Sequence, residues 1–124
     1  MHYLQLLTRS VRAKRIIKTT IMINMSSSNS QYPQMTYKQA VDHCKYWADQ
    51  IRHDGLDLLT TDYGAAIGVS DQLAYPLEMQ TWINSQEYPL LYKVCVYAVT
   101  VDNDHTDRAS WEKLIELIDK LPEH

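Results

Sequence analysis

The side chains with the chemistry of metal ligands cluster on and after a predicted first helix. Asp42, His43 and Cys44 are consecutive, and His53 follows ten residues after His43. A helical metal site presents two ligands four residues apart on one face, and this spacing does not. Cys44 also falls on the apolar face of the predicted helix. We therefore expect structural or solvent-facing roles for these residues, with no metal site and no cofactor.

An oxygen-rich run near the end of the chain has the composition of a calcium loop. It reads Asp102-Asn103-Asp104-His105-Thr106-Asp107. The twelve-residue calcium loop requires Gly at position 6 and Glu at position 12. This chain has Asp107 and Lys113 there. The run is therefore interpreted as an exposed turn that leads into a helix cap.

Nucleophilic catalysis would require an activated Cys, Ser or Thr beside a base. Cys95 lies inside an apolar run, where a thiol behaves as a small buried hydrophobe. The three glycines of the chain form no phosphate-binding loop. No catalytic residue is predicted. The alternative is a small enzyme or metal-binding protein that uses His43, His53 or His105.

Charge divides the chain into two parts. The first 41 residues carry six Lys and Arg and no carboxylate, whereas the rest carries fifteen carboxylates against six Lys and Arg. A Ser-rich run at 26–30 indicates a linker. We predict a basic tail and linker at 1–34 and an acidic globular domain at 35–124. The basic residues of the tail are Arg9, Arg12, Lys14, Arg15 and Lys18.

Three interpretations of the tail stay open. It is an arm that contacts nucleic acid or a membrane through its basic residues, an acid-free organelle-targeting presequence, or a translated upstream segment. In the third case the true start is Met22, Met25 or Met35. We expect the tail to be dispensable for the folded domain.

The elements of the domain differ in how clearly the sequence specifies them. Thr36 and Gln39 form a capping box, and Gly55 supplies a left-handed cap, so we predict a helix over 37–53. A final helix begins after Thr106 or Asp107 and is ended by Pro122. The buried stripe of this helix is predicted to comprise Trp111, Leu114, Ile115, Ile118 and Leu121. Glu116 and Lys120 are predicted to form an i, i+4 ion pair.

The segments between these two helices predict a mixed fold. Residues 56–69 fit two short strands around a turn, and a short helix is predicted from Pro76. Residues 90–101 are β-branched, aromatic and apolar on both alternations, which favours a central strand, with a buried helix as the alternative. The predicted fold class is therefore α+β: a small single domain of about three helices packed on a short sheet.

Cell-level features of the sequence are few. No apolar run is long enough to span a bilayer, and basic residues interrupt the position where a secretory signal would need its apolar core. Cys44 and Cys95 are far apart and have no CxxC or CxxH neighbours, which is typical of a reducing compartment. We expect a cytoplasmic location.

The negative charge of the domain and its many tyrosines are the remaining features of the sequence that indicate a function. Carboxylates repel phosphate, so the domain itself is not expected to bind nucleic acid. We predict a non-enzymatic protein that binds a basic surface of another protein, since complementary charge steers encounter and Tyr supplies contact area. The predicted partner-binding residues are Asp42, Asp49, Asp54, Asp57, Glu112, Glu116 and Asp119.

The start of the domain resembles a known family over residues 35–54. The residues that carry the likeness are Met35-Thr36-Tyr37, Asp42-His43 and Ile51-Arg52-His53-Asp54. They resemble the phage anti-restriction DNA mimics typified by Ocr. Proteins of that family are small, acidic, helical and without enzymatic activity, whereas the strand predicted near 90–101 departs from that pattern. The resemblance implies a broad class: a small protein encoded by a phage or mobile element that binds and blocks a host defence or nucleic-acid-handling protein.

Overall fold

The computed structural model describes residues 34–122, which belong to a compact unit that starts at Gln34. Predictions for the basic tail and the Ser-rich run lie outside the described residues. The described residues form five helices and contain no strand. The bounds are α1 Tyr37–Asp54, α2 Leu56–Thr61, α3 Tyr63–Glu78, α4 Pro89–Asn103 and α5 Arg108–Asp119. This part of the chain is therefore all-α, and the predicted α+β fold is wrong.

Helix α1 forms where the capping box predicts it. The Thr36 hydroxyl accepts from the Gln39 backbone N–H at 3.1 Å, and the Gln39 side chain accepts from the Thr36 N–H at 2.9 Å. These two bonds satisfy backbone donors that the first turn of a helix leaves open. At the other end the Gly55 N–H donates to the Ile51 carbonyl at 2.8 Å. Gly55 has φ +90° and ψ 144°, so the positive φ is present although ψ lies outside the left-handed helical region.

The hairpin predicted over 56–69 is wrong, because two helices occupy this segment. The Thr60 and Thr61 hydroxyls each donate to a carbonyl four residues earlier at 2.7 Å. These bonds give the hydroxyl groups of both β-branched residues an acceptor within α2. Asp62 then caps α3 by accepting from the Ala65 N–H at 3.1 Å. The buried residues of α3 recur at helical spacing, and they include Ala66, Val69, Ser70, Leu73, Ala74 and Leu77.

The helix predicted to start at Pro76 is also wrong, since Pro76 lies in the last turn of α3. Proline has no N–H, so the carbonyl of Gln72 loses its helical donor. The His43 ring of α1 lies against this point, with Nε2 at 3.1 Å from the Leu73 carbonyl and a second interaction with the Gln72 carbonyl. A carbonyl only accepts, so Nε2 carries the proton. Packing of α1 on α3 thus compensates for a proline inside a helix.

The central strand predicted near 90–101 is wrong as well, because this run forms α4 with Pro89 in its first turn. The buried residues of the run fall at helical spacing: Leu91, Val94, Cys95, Ala98, Val99, Val101 and Asp102. Val96 and Tyr97 are half-buried. The apolar residues therefore fit both the period of two of a strand and the period near 3.6 of a helix. Because the helix is buried on several sides, it has no continuous polar face that would distinguish a helix from a strand in the sequence.

Helix α5 begins at one of the two predicted caps. Asp107 accepts from the Ser110 backbone N–H at 3.2 Å and from its hydroxyl at 2.7 Å. Trp111 is fully buried, and its indole N–H donates to the His105 carbonyl at 2.8 Å. The turn before α5 is therefore tied to the core, as a buried indole requires a hydrogen-bond partner.

Helix α4 is central to the packing, with its main neighbours being α3 and α5, while α1 packs on α3 and α5. The core is built from apolar side chains of all five helices. One buried polar contact joins α3 to α4, where the Ser70 hydroxyl donates to Asp102 at 2.6 Å. Within residues 34–122, no helix combines the length and the apolar composition that crossing a bilayer requires.

Candidate functional site

Of the candidate metal-ligand residues of α1, His43 and Cys44 take structural positions, whereas Asp42 and His53 are exposed. Burial lowers the pKa of His43, an effect that its bonds to the Leu73 and Gln72 carbonyls partly oppose. Burial also raises the pKa of the Cys44 thiol, which keeps it protonated and unreactive. Among residues 34–122, no group of three or more His, Cys, Asp or Glu side chains is arranged to hold a metal ion.

His105 lies in the turn between α4 and α5 and is engaged on two sides. Its ring makes an edge contact with Tyr63, with ring centroids 5.5 Å apart, and its carbonyl accepts from Trp111. Cys95, the other candidate nucleophile, is buried in α4. Neither Cys95 nor His105 lines the two grooves described below.

The predicted partner-binding carboxylates on α1 lie among basic residues. Asp42 pairs with Lys38 at 3.0 Å, and Arg52 pairs with both Asp49, at 3.5 Å, and Asp119 of α5. A polar groove of about 350 Å³ brings Asp42, Asp49 and Asp119 together with Lys45 and Arg52. Three of the seven predicted residues thus share one groove, but two basic residues offset most of its negative charge.

The remaining predicted carboxylates form similar ion pairs, apart from Asp54. Arg108 bridges Asp57, at 2.7 Å, and Glu112, at 3.5 Å. Glu116 lies between Lys113, at 3.7 Å, and Lys120, at 3.4 Å, and the second of these is the i, i+4 pair that the sequence predicts. Asp54 has no ion pair within residues 34–122.

These contacts show that α1 and α5 are balanced in charge. Helix α1 has three carboxylates and three Lys or Arg, and α5 with Lys120 has the same numbers. Exposed ion pairs contribute little to stability. They do, however, place positive charge beside each predicted carboxylate cluster, so the outer faces of these two helices are mosaics of both signs.

The net negative charge of the described residues lies between these helices. Residues 55–107 carry eight carboxylates and a single basic residue, Lys93. No Lys or Arg occurs anywhere in 53–92. The acidic region can be recognised in the sequence from this lack of Lys and Arg. It is easily overlooked when only the positions of the carboxylates are compared.

One surface in this acidic region also exposes large apolar side chains. We call it the α2–α3 face and define it by Asp57, Leu58, Asp62, Tyr63 and Arg108. Leu58 is 42% and Tyr63 is 48% exposed, and the Asp57 side chain is 95% exposed. Asp62 holds the junction of α2 and α3 by its cap, and His105 supports the Tyr63 ring. The face thus combines a supported aromatic ring, carboxylates and one arginine.

Comparisons of the chain with protein-family models, with curated proteins and with solved structures gave no match. The resemblance of residues 35–54 to the phage anti-restriction DNA mimics therefore stays a prediction. Function has to be argued from the charges and exposed side chains of the described residues, among which the α2–α3 face is the strongest candidate.

Proposed function

We propose that this chain is a non-enzymatic inhibitor or regulator that binds a basic surface of another protein through the α2–α3 face. The observation that carries the proposal is the exposure of Tyr63 and Leu58 beside Asp57 and Asp62, in a region of 40 residues without Lys or Arg. The partner-binding residues are those of the α2–α3 face: Asp57, from the sequence prediction, with Leu58, Asp62, Tyr63 and Arg108 added.

Physical chemistry supports such a surface as a binding site. Excess negative charge steers encounter with a positive partner, whereas aromatic side chains and arginine supply most of the binding energy at interface centres. The Tyr63 ring is supported by His105 before a partner arrives, so little side-chain entropy is lost when it is covered. The outer face of α1 also exposes a tyrosine, Tyr46, but this helix carries as many Lys and Arg as carboxylates and so lacks the excess negative charge.

The partner class we propose is a host defence or nucleic-acid-handling protein in the cytoplasm. A site that holds nucleic acid is rich in Lys and Arg, and an acidic protein surface competes for it. The resemblance of residues 35–54 to phage anti-restriction proteins motivates this choice, and the helical architecture of residues 34–122 is compatible with it. We propose a phage or mobile-element origin on the same basis.

A displacement assay tests the proposal. A labelled DNA duplex is bound to a purified DNA-translocating restriction enzyme, and release of the duplex is followed as the chain is added. Asp57→Asn with Asp62→Asn removes two charges from the α2–α3 face, and Asn at position 62 retains the helix cap. We expect this double variant to displace DNA at least about tenfold less efficiently, equivalent to about 1.4 kcal/mol.

The matched control removes two charges from the balanced helices, by Asp49→Asn with Glu116→Gln. Tyr63→Ser tests the aromatic contribution, with Tyr46→Ser, at 55% exposure on α1, as its control. Equal losses of DNA displacement in the two double charge variants would contradict the role of the α2–α3 face. Failure of the unmodified chain to displace DNA would contradict this partner class. Capture from host extract with the full chain would then identify another partner.

A further inference from the structure

The further candidate site is an apolar groove between the start of α1 and the start of α4. It has a volume of about 330 Å³ and is lined by Tyr37, Glu87, Tyr88, Pro89, Leu90 and Leu91. We call it the Tyr37–Tyr88 groove. It shares no residue with the α2–α3 face. We propose that this groove binds a basic, proline-rich segment of a partner protein in the polyproline II conformation.

Aromatic rings form a fixed platform in the groove. The Tyr37 and Tyr88 rings stack at 5.6 Å with an interplanar angle of 27°. Trp82 supports Tyr88 from another side at 5.0 Å and 75°. Its indole N–H donates to the Gln80 side chain at 3.3 Å, and that side chain also accepts from the Met35 N–H at 2.7 Å. The platform is therefore anchored on both sides of the groove.

Hydrogen bonds to Asn84 hold the lip of the groove. The Asn84 side chain accepts from the N–H groups of Gln86, at 2.9 Å, and Glu87, at 2.8 Å. The Tyr88 N–H donates to the Asn84 carbonyl at 3.1 Å. Asn84 thus sets the positions of Glu87 and Tyr88 before a ligand binds, which lowers the entropy lost on binding.

The chemistry of the groove favours a polyproline II ligand over a helix. Proline-rich segments dock on aromatic grooves because they are already extended and their carbonyls make no internal hydrogen bonds. The Tyr88 hydroxyl has no hydrogen-bond partner within residues 34–122, so it is available to donate to such a carbonyl. The groove is lined by six residues, whereas an amphipathic helix needs a longer row of anchor positions.

Charge at the groove favours a basic ligand. Glu87 is exposed on its lip, and no Lys or Arg occurs in 53–92, the segment that supplies Glu87 and Tyr88. An arginine that flanks the prolines would meet a carboxylate, and an acidic flank would be repelled. This complementarity distinguishes the proposed occupant from an apolar segment of any other kind.

Fluorescence anisotropy with synthetic peptides and the full chain tests the proposal. The probes are a labelled proline-rich peptide flanked by Arg, the same peptide flanked by Glu, and an Arg-flanked peptide with its prolines replaced by Ala. We expect the Arg-flanked proline peptide to bind about tenfold more tightly than either of the others. Its binding should also shift the NMR signal of the Trp82 indole, which lies behind Tyr88.

Two conservative variants separate the contributions of charge and hydroxyl. Glu87→Gln should reduce the preference for the Arg flank to about threefold or less without weakening an uncharged proline peptide. Tyr88→Phe retains the ring contacts and should weaken all proline-rich peptides about fivefold, with Tyr46→Phe as the unaffected control. The urea midpoint of each variant is measured first to establish that it is folded.

Several outcomes would overturn the proposal. These are equal binding of the proline and Ala peptides, equal binding of the Arg and Glu flanks, and unchanged affinities in both variants. Stronger competition by an amphipathic helical peptide would do so too. Because Asp57→Asn with Asp62→Asn does not touch this groove, peptide binding is expected to survive in that variant, so failure here is distinguishable from failure of the proposed function.

Discussion

At the scale of single residues, His43 and Pro76 illustrate how one side chain compensates for another. Pro76 removes a backbone donor from α3, and the protonated Nε2 of His43 supplies a donor from α1 at the same turn. The polar ring is thereby accommodated in a half-buried position. This contact also explains why a histidine beside Asp42 and Cys44 is not a metal ligand, since its Nε2 is already engaged by the carbonyls of α3.

The first prediction concerns pH. Burial lowers the pKa of His43 below its ordinary value of 6.5, so the unfolded chain binds this proton at a higher pH than the folded chain. Stability from this group is therefore full above about pH 6.5 and decreases as pH falls toward the lower, folded-state pKa. Urea unfolding at several pH values should show a smaller decrease for His43→Gln than for the unmodified chain.

An NMR titration of the His43 ring provides the direct check, because the folded-state pKa can be read from it. A pKa at or above the ordinary value would contradict the prediction, as would identical pH dependence of unfolding in the two proteins. The Gln side chain retains an amide donor for the Leu73 carbonyl, so loss of the hydrogen bond does not explain a difference in slope.

The carboxylates make a related point at this scale. Asp57 and Glu112 are far apart in sequence, yet both pair with Arg108. Asp49 and Asp119 likewise share Arg52. The sequence predicts which helix faces carry carboxylates. It does not predict that Arg108 pairs with Asp57 or Arg52 with Asp119, because these residues are 51 and 67 positions apart.

At the scale of secondary structure, the two helices in which end signals accompany a single apolar stripe are the ones the sequence predicts correctly. Helix α1 has a capping box, and α5 has an Asp cap with a single apolar stripe. Helices α3 and α4 lack a polar face over much of their length, since both pack against other helices. For α4, length is the missed signal: fifteen residues from Pro89 to Asn103 exceed the usual strand of about 5–6 residues.

The second prediction compares two glycines at which an added Cβ would meet open space. Gly55 has a φ of +90° and no atom within 4 Å of such a Cβ, so Gly55→Ala should destabilise through backbone strain alone, by about 1–3 kcal/mol. Gly68 lies inside α3 with equal space, so Gly68→Ala should stabilise by about 0.5–1 kcal/mol.

Urea unfolding followed by circular dichroism measures both effects in parallel. An added Cβ meets no atom at either position, so steric clash does not contribute. Opposite changes in the free energy of unfolding would therefore report the backbone conformation alone. Destabilisation by Gly68→Ala, or no effect of Gly55→Ala, would show that the local backbone at these sites differs from the one described.

At the scale of the whole molecule, the described residues contain a core to which every one of their five helices contributes. Its buried apolar side chains run from Ala40 to Leu121. The third prediction is that a fragment of residues 34–124 unfolds cooperatively and keeps the buried Trp111 environment. Intrinsic fluorescence and circular dichroism of the fragment and the full chain provide the measurement.

The same fragment bears on the basic tail. Retained activity in the DNA displacement assay would argue that Arg9, Arg12, Lys14, Arg15 and Lys18 are not needed for partner binding. A fragment with little helical signal, or with a broad and non-cooperative transition, would contradict both the predicted domain boundary and the sufficiency of this core.

The sequence by itself determined the ends of α1 and α5, the position of the acidic region and the absence of a recognisable catalytic motif, because caps and charges are local properties. Only the tertiary structure decided that 56–78 and 89–103 are helices, and that Arg52 pairs with Asp119 and Arg108 with Asp57 across helices. A segment buried on several sides fits two periodicities, and its neighbours select between them. Ion pairs between distant residues likewise exist only once the helices have packed.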